Sequence, residues 1–62
     1  MKTNELIRKL EAAGCYLKRN GKRHDIWYSP ITGKHFPLPR HGAKEVPKGT
    51  LAKIENESGV KL

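Results

Sequence analysis

The chain has 62 residues, with 13 Lys and Arg against six Asp and Glu, three histidines and one cysteine, and a net charge of +7 at pH 7. At this size it makes one domain, 1–62, which buries only about 60% of its unfolded surface and holds no large interior for an organic cofactor. Cys15 alone excludes an internal disulfide and fits a reducing compartment, and no apolar run approaches the roughly 18 residues of a membrane span, so a cytoplasmic protein with no membrane partner is expected.

Thr3 stands where it can cap a helix running to Ala13, with Glu5 near the positive N-terminal end. Leu6, Ile7, Leu10 and Ala13 give that helix one apolar face, and Gly14 sits where a left-handed residue would stop it. The stretch CYLKRN, 15–20, then alternates as a strand does. Cys15 and Leu17 fall on one face, Tyr16 and Lys18 on the other.

Asn20-Gly21 is a strong hairpin-turn signal, and HDIWY after it supplies good strand formers. SPITG, 29–33, reads as a second turn, and KHFPLP, 34–39, as a third strand. Pro37 and Pro39 cannot donate ladder hydrogen bonds, so that strand belongs at an edge or ends early. RHGAKE, 40–45, is a basic loop. Pro47 opens a last helix as its first residue, Leu51 and Ile54 form its inward stripe, and Gly59 ends it. The expected fold is α+β in the order α-β-β-β-α, a three-stranded antiparallel sheet with both helices on one face and the other face open.

The charge is concentrated. Eight of the basic residues lie between Lys18 and Lys48, among only two acids, Asp25 and Glu45. A block of this kind is the electrostatic footprint expected for a polyanion such as nucleic acid; the bland reading is lysine kept for solubility.

The histidines are the residues suited to proton transfer near neutral pH. His24, His35 and His41 do not fall into metal-ligand spacings, no glycine-rich phosphate loop is present, and no carboxylate pair suggests two-metal chemistry, so neither metal nor cofactor is expected. Single-histidine chemistry on RNA remains, because RNA carries its own nucleophile in the 2′-hydroxyl. His24 follows Lys22 and Arg23, which pairs a proton-transfer group with cations for the phosphate.

Strand parity puts His24 on the face of Ile26 and Tyr28. If the helices cover that face, His24 is a core or edge residue; as the first strand residue after a turn it can instead reach the rim. His41 is either a second phosphate contact or a plain turn residue, and His35 reads as surface. Trp27 reads as packing area, whereas Tyr16 on an open face could stack a base. Cys15 reads as a small apolar residue.

GKRHDIWYSP together with PLPRHGAKEVPKGTLAKI resembles the HicA-type toxins of HicAB toxin–antitoxin pairs. The resemblance covers nearly the whole chain: the amphipathic helix ending in Gly14, the glycine-led turn into a histidine and an aromatic strand, the P-R-H loop, and the G-T-L-x-x-I helix followed by Gly59. It implies a fold like a double-stranded-RNA-binding domain and metal-independent endoribonuclease cleavage of mRNA. The catalytic role falls on His24, and the partner implied is a HicB-type antitoxin. Arg23 stands where many members carry a small residue before the histidine. Lys18, Lys22, Arg23, Arg40, His41 and Lys44 are the candidate RNA contacts. A non-catalytic module binding duplex RNA is the alternative, and a protein-interaction domain with an acidic partner is a third reading.

Overall fold

The computed structural model describes residues 1–40 and 44–62. The elements are α1 (Thr3–Ala12), β1 (Tyr16–Asn20), β2 (His24–Ser29), β3 (Lys34–Pro39) and α2 (Lys48–Ser58). The strands form one antiparallel sheet in the order β1-β2-β3, so the proline-interrupted β3 is an edge, as its missing N–H donors require.

One sheet face is covered. Leu6 and Leu10 of α1 and Ile54 of α2 join Trp27, Phe36 and Leu38 in a single buried cluster with Cys15, Val46 and Val60. Both helices therefore lie against the face carrying Trp27, Ser29, Phe36 and Leu38. The opposite face carries the alternate residues, and it is uncovered. Leu17, on the covered side opposite Trp27, lies at the β1 edge beyond the helices and is half-exposed.

Several local expectations are corrected. Thr3 does not cap α1. Lys2 is the N-cap residue, and Thr3 lies buried in the first turn with its Oγ1 donating to the carbonyl of Lys44 at 3.2 Å. The adjoining backbone is tied the same way: Thr3 N–H donates to Lys44 O at 3.1 Å, Val46 N–H to Met1 O at 2.9 Å, and Lys2 bridges to Glu45. Pro47 is the N-cap of α2 and not its first residue, because its extended ψ of 152° leaves Lys48 to begin the helix. Cys15 precedes β1 and donates its backbone N–H to Leu10 O, closing α1 after the left-handed Gly14 (φ 96°).

The second turn is latched to the end of α2. Ser29 Oγ donates to Ser58 O, and Thr32 Oγ1 donates to Glu57 O at 2.6 Å. Gly59 is left-handed at φ 74°, and a Cβ there would lie 2.9 Å from Cγ2 atoms of both Ile31 and Thr32. Glycine is needed at that cap for conformation and for space.

β1 departs from strict alternation. Leu17 pairs with Trp27 but Arg19 pairs with Ile26, leaving Lys18 as the extra residue of a β-bulge. Simple parity assigns Arg19 to the face of Cys15 and Leu17. The bulge moves it to the uncovered face.

Candidate functional site

The first hairpin presents His24. Asn20 pairs with Asp25, and the chain reverses through Gly21, Lys22 and Arg23. This is not the two-residue Asn-Gly turn that the sequence suggests, since Gly21 does not adopt a positive φ. Its lack of a side chain serves a different purpose: a Cβ on Gly21 would overlap the carbonyl oxygen of His24. The glycine lets the hairpin fold back tightly onto the backbone of His24.

Across the sheet, His24 pairs with Pro39, Ile26 with Pro37, and Tyr28 with His35. These are the residues of the uncovered face, so the question left open by parity is answered: the core is built from the other face, and His24 is exposed at the rim. Lys22 and Arg23 beside it are exposed, as is Lys18 in the bulge. Trp27 is 6% exposed and packs in the core.

His24 also borders a groove of about 430 Å³ between α2 and the β3 edge, lined in part by Pro39, Lys44, Pro47, Thr50 and Lys53. Residues 24 and 44 are thus brought to one depression by the strap that holds the Lys44 carbonyl on Thr3. Lys53 joins them from α2; it lies outside the basic block of the sequence, where only helical phase on a packed α2 would have singled it out. The same groove includes Glu57, one of whose carboxylate oxygens is buried with no hydrogen-bond partner.

Asp25 organises the hairpin from beneath. Its Oδ1 accepts from Asn20 Nδ2 at 2.9 Å and from Arg40 Nε at 2.8 Å, tying the end of β1 to the residue that follows β3. The hydrogen bonds from Asn20 and from Arg40 hold its carboxyl below the ordinary carboxylate range. Arg40 therefore has one donor committed to Asp25, while its side chain stays 40% exposed. Asp25 was not among the site residues expected from sequence; a lone acid in a basic turn gives no sign of its partners. His41 lies outside the described residues.

Among the described residues no group of three or more His, Cys, Asp and Glu side chains is arranged to hold a metal ion, and no helix is long and apolar enough to cross a membrane. The arrangement is a solvent-facing imidazole beside a basic hairpin and a groove lined by Lys44 and Lys53 as well as Glu45 and Glu57, carried on an α-β-β-β-α sheet of the double-stranded-RNA-binding type.

Comparison with known proteins specifies the class further. Residues 3–60 match the family model described as HicA toxin of bacterial toxin–antitoxin, and the chain belongs to that family. A chain of the solved HicA3 and HicB3 toxin–antitoxin complex aligns over 100% of this chain and 98% of its own length, at 32% identity and a TM-score of 0.72. No curated protein matches the sequence.

Proposed function

We propose that this HicA-family toxin is an endoribonuclease that cleaves mRNA, with His24 transferring a proton and a HicB-type antitoxin as its neutralising partner. The observation that carries the reading is the exposure of His24 on the uncovered face, at the mouth of the groove that Lys44 and Lys53 line. The antitoxin partner is supported by the HicA3 relative, which was solved with HicB3.

In the proposed reaction the 2′-oxygen of RNA attacks the adjacent phosphorus and the bond to the 5′-oxygen breaks. The products are a 2′,3′-cyclic phosphate and a free 5′-hydroxyl. His24 takes the 2′-hydroxyl proton or delivers one to the leaving oxygen, and the complementary proton step falls to water or a nearby lysine. Lys22, Arg23 and Lys44 are close in chain or groove to that histidine and act on the phosphate charge, which grows in the transition state. Arg40, tied to Asp25 next to His24, adds charge at the same rim, and Lys18 in the bulge lies further along the basic surface and positions the strand. The nucleophile is supplied by the substrate, so the scheme calls for a proton acceptor and a proton donor, and no step runs through a metal.

The test is cleavage of single-stranded RNA in EDTA by the wild type and by His24→Ala. Cleavage by the variant should fall by about 10²- to 10⁴-fold with the fold retained. Equal cleavage by the two proteins removes His24 from the chemistry. Salt-sensitive binding to duplex RNA with no products would favour the non-catalytic module.

A further inference from the structure

The uncovered sheet face is arranged in three cross-strand rows. Tyr16, Tyr28 and His35 form the first; Arg19 with the bulged Lys18, Ile26 and Pro37 the second; His24 and Pro39 the third. Successive rows lie two residues apart along β2, or about 7 Å, which puts the first row about 13 Å from the histidine row.

From this layout we infer that Tyr16, Tyr28 and His35 form a stacking platform for a base of single-stranded RNA, two rows away from His24. The inference rests on the nuclease reading for its substrate and extends it to residues outside the basic hairpin. The three rings form a continuous series: centroids of Tyr16 and Tyr28 are 5.5 Å apart, and those of Tyr28 and His35 are 5.0 Å apart. Interplanar angles of 50° and 57° tilt the rings against one another, so none is sealed face to face by its neighbour. Tyr16 is 47% exposed and His35 is exposed, while the buried core is filled entirely from the opposite face.

Charge selects the occupant. None of the residues in the three rows is acidic, and Lys18 and Arg19 sit between the aromatic row and His24. The one acid of β2, Asp25, has the opposite parity and is engaged by Asn20 and Arg40. A polyanion whose phosphates pass Lys18 and Arg19 can lay a base on the rings while a phosphate about two nucleotides along the strand reaches His24. The base must come from a single strand, because bases in a duplex are already stacked on each other. A cross-strand aromatic pair also steadies a sheet. That role alone does not depend on bases, which is what the experiment exploits.

Binding would be measured with two single-stranded 2′-O-methyl oligonucleotides, which cannot be cleaved. One carries bases, and the other has the same number of phosphates but abasic sugars at its centre. Wild type should bind the first on the order of 10-fold more tightly, and Tyr16→Leu/Tyr28→Leu should reduce that preference to the little that His35 alone supplies. Tyr16→Phe/Tyr28→Phe should restore the preference, since phenyl rings stack without the hydroxyl. An unchanged preference in the leucine variant overturns the platform, as does failure of the wild type to distinguish the two oligonucleotides. Normal RNA preference with lost binding to a HicB-type antitoxin would mark the row as a protein contact and also overturn it. Cleavage assayed separately keeps the two claims apart: intact base preference without cleavage fails the nuclease reading and leaves the platform standing.

Discussion

Gly21 and His24 are in backbone contact across the first hairpin, with the His24 carbonyl oxygen occupying the space that a Cβ at position 21 would need. Gly21→Ala must therefore shift the start of β2, although it leaves the imidazole itself untouched. A displacement near 1 Å at a reacting group can cost on the order of 10²-fold in rate. RNA cleavage by Gly21→Ala should fall on that scale while thermal unfolding remains cooperative. Unaltered cleavage would show that the tight reversal does not aim His24.

Asp25 gives the hairpin an acid-sensitive tie. Its carboxyl is held low in the folded chain, so the folded state binds fewer protons than the unfolded state in the window between the two pKa values. The contribution is fully present above the unfolded carboxyl's ordinary value and is lost as pH falls through the lowered one. Asp25→Asn should lower Tm at neutral pH, and the gap to wild type should close at strongly acid pH. A gap independent of pH would mean that the ionised carboxylate gains nothing from its hydrogen bonds to Asn20 and Arg40.

Ser29 has no exposed surface, and its Oγ both donates to Ser58 O and accepts from Ile31 N–H at 3.2 Å. Ser29→Ala would leave a buried carbonyl and an amide without that partner, at a cost of about 1–3 kcal/mol. Urea denaturation should show a lower midpoint at unchanged slope. An unmoved midpoint would show that the latch between the second turn and α2 is dispensable.

Lys44 and Lys53 line one groove from different elements. If both meet phosphate, each replacement by Gln should lower the slope of log K against log salt by about 0.7 for single-stranded RNA. Binding measured over a salt series tests this directly, and an unchanged slope excludes that lysine from the bound strand's path.

The element order was legible in the sequence because helical and strand periodicities differ, and because Gly14 and Gly59 stand at helix ends. Trp27 was correctly read as packing. The orientation of His24 was not legible: parity groups it with Ile26 and Tyr28 but cannot say which face the helices will cover. Long-range burial by Leu6, Leu10 and Ile54 decides that. Arg19 was missed because a bulge changes parity without altering composition. Thr3 looked like a cap because its hydroxyl suits one, but the Lys44 carbonyl, 41 positions away, claims it. Gly21 was read only as half of an Asn-Gly turn signal, whereas the structure requires its small size against the His24 carbonyl.

The two outer strands limit how this protein can associate. β3 carries Pro37 and Pro39 in place of two residues that could donate from its free edge, and β1 is interrupted by the Lys18 bulge with a second cation beside it. Neither border offers an unbroken ladder for another strand to extend. Self-association into longer sheets is disfavoured at both ends, and a partner has to grip side chains and not extend the sheet. A binder that chooses the uncovered face, the groove or the hairpin is thereby positioned to block the surfaces proposed to carry activity.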